Sequence, residues 1–250
     1  LATLFAGQDV IVNLATALPP TADFAKFSVW KENNRIRTEG SACVVDAALK
    51  AGVPRIVQES VSMIYRDHGA HWIDEDWATD DFPMARSNHA AESSAQRFTA
   101  AGGIGVVLRF GLFYGPGAAH SEEFLALARK RGIAIMIGPP HTYLSSIHVA
   151  DGGRAVAAAL QAPAGRHNIV DDEPMTKRDY ADALARAAER KHYIRAPGSL
   201  ALIMGNNTTS LTRSLRVSNA RFKQLTGWAP QFPSAREGLA AMNAKSRDRQ

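Results

Sequence analysis

The sequence predicts an α/β protein built on a doubly wound, parallel sheet. Three observations carry this. Short apolar runs at Asp9–Ala15, Pro54–Ser60 and Gly103–Gly111 are nearly continuous rather than alternating, as strands buried on both faces require. Stretches of helical periodicity separate them. The resulting order, strand, helix, strand, helix, strand, makes parallel neighbours through right-handed crossovers. With 250 residues, 46% of them hydrophobic, the chain has enough material for a sizeable core.

Taken in order, "DVIVNLA" forms the first strand, and "TALPPTADF" is a loop broken by Pro19 and Pro20. A helix from about Asn34 to Ala51 places Ile36, Gly40, Val44, Ala47 and Ala48 on one face and stops at Gly52. After the strand Pro54–Ser60 comes an acidic loop, "RDHGAHWIDEDWATDDFP". A small-residue helix covers Met84–Ala101, closed by Gly102 and Gly103 before the strand Gly103–Gly111. Gly115–Gly117 is a turn, and beyond it the elements shorten. They are a helix at Ser121–Arg131, a strand and helix in "SSIHVADGGRAVAAALQAP" and a strand in "HNIVDD". Thr176 caps the amphipathic helix in "TKRDYADALARAAERK", Ser218–Gly227 is a short helix, and the tail "NAKSRDRQ" frays.

Composition excludes several classes of function. The single cysteine, Cys43, rules out an internal disulfide or a cysteine-built metal site and favours a reducing, cytoplasmic setting. Within "SACVVDAAL" it is expected to be buried as a small hydrophobe. The net charge of +5 is spread out, with the densest run, "ARKRG", at a helix end, so no nucleic-acid surface is expected. No apolar run reaches the ~18 residues of a membrane span, and no histidine spacing suits a metal.

Six blocks stand in a fixed order: "DVIVNLAT", "GSACVVDAALKAGVPRIV", "LRFGLFYGPG", "SSIHVADGGRAVAAAL", "NIVDDEPMTKRDYADALA" and "GWAPQFPSAREGL". Together they resemble the extended short-chain dehydrogenase/reductase family in its NAD-dependent epimerase/dehydratase branch, over essentially the whole chain. The resemblance implies a Rossmann-like sheet. Residues 1–115 would be the remainder of an NAD(P)-binding domain. Residues 116–250 would be mainly a smaller α/β substrate-binding portion, with some elements returning to the sheet. It also implies NAD or NADP as cofactor, held in part by Leu14, Ala15, Thr16, Phe110, Gly111 and Leu112. The substrate would be a polar small molecule, with a nucleotide-linked one among the candidates, and a homodimer is compatible. His148 and Asp151 would organise the join between the two portions.

Two departures from the family pattern matter. No G-x-x-G-x-x-G occurs, the loop whose free N–H groups hold a pyrophosphate, so the family's first βαβ part is missing and an N-terminal truncation is expected. Met84 and Asn88 fall at the places of the family's catalytic tyrosine and lysine, and Val61 at its serine or threonine. Methionine cannot transfer a proton and asparagine has no charge to tune a neighbour.

Replacements are sought where ligands bind, at the carboxyl ends of parallel strands. Glu59, Ser60, Ser62 and Tyr65 lie at such an end. Glu59 either pairs with Arg109 or caps backbone, or else Glu59 or Tyr65 transfers the proton while Ser60 or Ser62 orients substrate. His89 faces either solvent or the cleft. Two functions follow: an atypical NAD(P)-dependent oxidoreductase or epimerase-like enzyme, or a dinucleotide-sensing scaffold without a reaction.

Overall fold

The computed structural model describes residues 1–24, 26–134, 136–195 and 209–247. Helix α1 (Ala2–Phe5) leads into strand β1 (Ile11–Asn13), and a loop with two 3₁₀ turns follows. A long helix then runs in three pieces: α2 (Lys31–Arg35), a π-helical turn (Ile36–Gly40) and α3 (Ser41–Ala51). Next come β2 (Arg55–Val61), a 3₁₀ turn (Ser62–Ile64), β3 (Trp72–Ile73), α4 (Pro83–Ala100) and β4 (Ile104–Phe110). The later elements are β5 (Leu112–Tyr114), α5 (Ala119–Arg131), β6 (Ile133–Ala134), β7 (Tyr143–Leu144), β8 (Ser146–His148), α6 (Val149–Ala159) and β9 (Gly165–Ile169). They continue with β10 (Met175–Thr176), α7 (Lys177–Ala187), β11 (Ile194–Arg195), α8 (Thr209–Thr212), β12 (Arg216–Val217), α9 (Ala220–Thr226) and α10 (Ala235–Arg247).

The main sheet has the order β1-β2-β4-β9 with every pair parallel, the doubly wound arrangement expected from the sequence. Both faces are covered, which is why the strands read as continuous apolar runs. Val45 and Ala48 of α3 and Ala95 and Phe98 of α4 pack with Ile56 and Val107 on one face. Ala155 of α6 and Phe222 of α9 pack with Val57, Val106 and Leu108 on the other. Thr176 caps α7 through Asp179 N–H at 3.1 Å, as its position predicted. No helix among the described residues is long and apolar enough to cross a membrane.

Two expectations need correction, and one cause explains both. The helix preceding β2 is not a single α-helix. Its π turn adds a residue to one turn and so advances the buried stripe by one position. Ser41, Val45, Ala47 and Ala48 pack inward: Ala47 and Ala48 lie on the expected face, while Ser41 and Val45 take the places expected for Gly40 and Val44. Cys43 therefore lies exposed rather than buried. The tail departs from expectation as well: α10 stays helical to Arg247, and residues 248–250 lie outside the described residues. The two-residue strands escaped the sequence because so short a run shows no alternation.

Helix α4 sits so close to β4 that a side chain does not fit between them. A Cβ on Gly105 would overlap the Ala95 carbonyl oxygen and the Thr99 hydroxyl, whereas a Cβ on Gly153, exposed on the outer side of α6, meets nothing. Gly105→Ala should destabilise the protein by about 1–3 kcal/mol. Gly153→Ala should be neutral or stabilise by up to about 1 kcal/mol. Urea midpoints of the two variants, read by circular dichroism, check the contrast.

Candidate active site

The carboxyl end of the sheet is held by two chains of polar contacts. The first begins on β1. Asn13 Nδ2 donates to Gln58 Oε1 (2.9 Å), tying β1 to β2, and Gln58 Nε2 donates to the Glu59 carbonyl (3.0 Å). The Glu59 carboxylate is engaged by Arg37, with Nε at 3.1 Å from Oε2 and Nη2 on the other oxygen. Arg37 belongs to the π turn, and the local widening of the helix aims its side chain inward, leaving it 3% exposed. Turns of this kind concentrate at functional sites.

The second chain starts on β2 and crosses to β9. Ser60 Oγ donates to Glu92 Oε1 (2.7 Å), and Arg109 grips the same carboxylate with two bonds of 2.8 and 2.6 Å. The Arg109 guanidinium lies over the Tyr65 ring at 4.8 Å, and the Tyr65 hydroxyl donates to Asn168 Oδ1 at 2.8 Å. Burial pushes the Tyr65 phenol up to about 12. Burial also opposes the charge on Arg109, but the bonds and proximity to Glu92 outweigh it and raise its pKa.

These contacts redistribute the residues singled out in the sequence. Glu59 pairs with Arg37, not with Arg109, whose partner is Glu92. Ser60 is committed to Glu92, and Ser62 is buried in the 3₁₀ turn after β2. Tyr65 points into the interior with Ile73, Val170, Leu215 and Val217, and is not packed with Met84. The reason is that β2 ends at Val61, and the turn that follows carries the chain inward before Tyr65 is reached. His89 Nε2 meets the Asp80 carbonyl at 2.8 Å.

The three positions that depart from the family pattern do come together. Met84 packs with Trp30, Ile64, Phe82 and Ala85, and Val61 lies against the same cluster. Asn88, one turn along α4, donates to the Met84 carbonyl at 3.0 Å. Its Oδ1 has no partner although it is buried, and the same holds for Ser87 Oγ and for Asn33 Nδ2. Asn33 Oδ1 meanwhile accepts from the Ala17 N–H (3.1 Å) and so fixes the loop after β1. Buried polar atoms without partners are rare, and these three lie on α2 and in the first half of α4. Among the expected cofactor contacts, Leu14, Ala15 and Thr16 are exposed, and Leu112 is partly buried in β5. Phe110 and Gly111 serve packing instead: Phe110 is buried against Phe113, and Gly111 lies too close to the Ser145 carbonyl to carry a side chain. His148 caps α6, and fully buried Asp151 accepts from the Gln231 and Phe232 N–H groups, joining α6 to the segment before α10.

Arg37 and the Glu92–Arg109 pair were not identified as site residues from sequence. A charged residue on a helix ordinarily reads as solvated, and only the π turn brings Arg37 inside.

A model of the NAD dependent epimerase/dehydratase family matches residues 1–170. A 3-diazoavenalumate denitrifying reductase from a Streptomyces species is 30% identical over 248 residues, covering 94% of this chain and 79% of that protein. Among solved structures, MoeE5 in complex with UDP-glucose and NAD superposes with a TM-score of 0.79 at 20% identity, over 99% of this chain and 82% of that one. Human epimerase family protein SDR39U1 (isoform 2) with NADPH gives 0.78 at 22% identity, over 97% and 85%. The chain belongs to the NAD-dependent epimerase/dehydratase family.

Two outcomes follow from the buried contacts. Glu92→Gln strips the charge that balances Arg109 inside the protein and should cost about 3–5 kcal/mol in denaturant unfolding. Tyr65 has its folded pKa raised to about 12, above the unfolded value near 10. The stability it contributes is therefore whole below about pH 10 and is lost as pH rises through about 12. Across that window Tyr65→Phe should lose stability less steeply than the parent, by about 3 kcal/mol in total. Urea titrations at stepped pH measure the difference.

Proposed function

We propose that this chain is an NAD(P)H-dependent reductase that passes hydride to an electrophile whose reduction requires no proton from the enzyme. One arrangement supports the reading: Val61 lies against the cluster that holds Met84, Asn88 bonds back to the Met84 carbonyl, and the sequence resemblance sets these three at the family's proton-transfer positions, where none of them can move a proton. Such a site is idle for oxidising an alcohol or reducing a ketone, in which an oxygen must lose or gain a proton. It is adequate for replacing a diazonium group by hydrogen. There the new C–H bond takes the hydride pair, the C–N bond breaks, and its electrons leave on N2. The hydride cancels the diazonium charge, so no proton is exchanged. The denitrifying reductase at 30% identity supports this substrate class.

The residues present fit the nicotinamide end of the cofactor. Leu14, Ala15 and Thr16 offer an exposed, small and largely apolar surface at the end of β1. Asn33 Nδ2 and Asn88 Oδ1 are a buried donor and a buried acceptor without partners, each able to bond one half of a carboxamide. No G-x-x-G-x-x-G for the diphosphate occurs in the 250 residues. The bound reduced dinucleotide supplies the hydride. Met84 and Val61 exclude water from the acceptor and fill the space of the missing phenol. Among Glu59, Ser60, Ser62 and Tyr65, Glu59 keeps the most exposure, with 10% of its side chain accessible, and Arg37 holds it in place. Its role here is electrostatic: a fixed carboxylate beside a cationic acceptor. Ser60 and Tyr65 support the sheet end from below.

The same three positions also favour a second reading, a dinucleotide-binding scaffold with no reaction. Incubation with 3-diazoavenalumate and NADPH or NADH separates the two. The reductase should release N2 and oxidise cofactor one for one, and deuterium from the 4-position of the cofactor should appear on the product carbon. Binding of NAD(P) by calorimetry without turnover of 3-diazoavenalumate, UDP-glucose or a dTDP-sugar would establish the scaffold instead.

A further inference from the structure

The stretch that contains α8 and runs into β12 comes from the C-terminal half, yet many of its bonds reach the segment that follows β2. Lys177, the first residue of α7 and 3% exposed, donates from Nζ to the carbonyls of Leu211 (2.6 Å) and Arg213 (3.0 Å). Gly138 leaves room for that ammonium group, since a Cβ there would collide with it. Arg213 donates from Nη1 to the Tyr65 carbonyl (2.7 Å), pairs with Asp80 through Nη2, and lays its guanidinium over the Phe82 ring at 4.8 Å. The Ser214 N–H donates to Asp67 Oδ2 (2.7 Å), and its hydroxyl donates to the Gly69 carbonyl (2.5 Å).

Ordering a buried arginine and a buried lysine costs up to about 2 kcal/mol of rotamer entropy each. A surface connection gains little from such anchors. Here they have one evident result. Ser210, itself buried, is held with its hydroxyl 3.9 Å from Met84 Sδ. Phe82, under the Arg213 guanidinium, belongs to the same cluster as Met84 and Trp30. The strap Thr209–Ser214 thus presses one small polar side chain onto the methionine that stands where the family has its tyrosine.

We propose that Ser210 is a specificity-determining residue of the acceptor site, and that Arg213 is the positioning residue that sets it against Met84. This rests on the reading that the acceptor lies at the Val61–Met84 end of β2. On that reading the Met84 thioether and the Ser210 hydroxymethyl group meet as one deformable boundary of the acceptor site. Bulk at position 210 then decides how far a flat acceptor enters. The forked contact of Arg213 with the Tyr65 carbonyl and Asp80 is one that lysine cannot reproduce.

The test uses the full chain labelled with 13C-methyl methionine, with the Met84 resonance assigned through Met84→Leu. Arg213→Gln and Ser210→Val should both shift that resonance, and Arg97→Gln, which removes an exposed pair with Asp46, should not. With 3-diazoavenalumate and NADPH, both variants should raise KM about tenfold with kcat little changed. Arg213→Lys should recover only part of the loss. A folded Arg213→Gln protein with the Met84 resonance in place and KM unchanged overturns the proposal. Should that variant fail to fold, Ser210→Val keeps every anchor, and an unmoved Met84 resonance in it overturns the proposal equally. A parent protein that turns over nothing refutes the reductase reading, while the resonance shifts still support the strap's placement of Ser210.

Discussion

The bond between Glu92 and Arg109 fixes most of what surrounds the site. Glu92 comes from the middle of α4 and Arg109 from near the end of β4, and Ser60 of β2 shares the same carboxylate. One helix and the two central strands are thereby locked in register at the depth where the strands end. An ion pair this deep does little for net stability on its own, since desolvation consumes most of the attraction. Its value is geometric. The helix cannot slide or rotate without leaving a charge unpaired, so Met84 and Asn88, at the start of α4, are held over the end of β2. Gly105 completes the arrangement by letting the helix backbone approach β4 closely.

The sheet was legible because its strands are buried on both faces and so are written as unbroken apolar runs. The order of strands and helices then left one economical topology. Helix termini were legible where chemistry marks them, as at Thr176, which caps α7, and at Gly52, which adopts φ 70° after α3. The π turn was not legible. Its residues, "IRTEG", have no composition that separates them from ordinary helix, and the contacts the turn makes, with α4 and through Arg37 with Glu59 of β2, are distant in sequence. With the turn missed, Gly40 and Val44 were expected where Ser41 and Val45 pack, and Arg37 was not singled out. At the site, the sequence marked Met84 and Asn88 as the positions expected to lack the family's proton-transfer pair. The pairing of Glu59 was not, because a strand end meets candidates from several helices at once.

A family that moves protons and hydrides together can drop one task and keep the other. Hydride transfer requires a dinucleotide and an acceptor aligned at the strand ends, and those are set by the sheet. Proton transfer adds a phenol and a cation on α4. On the proposed function, methionine and asparagine at these places leave the sheet, the buried ion pairs and the bonds of Asp151 to the segment before α10 undisturbed. On that proposal the chemistry is separable from the architecture, with positions 61, 84 and 88 on one side of the division.

Cys43 gives the π turn an experimental handle. It is the only cysteine among 250 residues, and it lies exposed on α3, three residues beyond the turn that aims Arg37. A thiol-directed spin label or fluorophore would attach at one known position on the native chain, with no background to engineer away. Because α3 is rigidly packed through Val45 and Ala48, such a reporter would register rewinding of the turn to regular helix as a rotation of its own anchor. The molecule carries its own protractor.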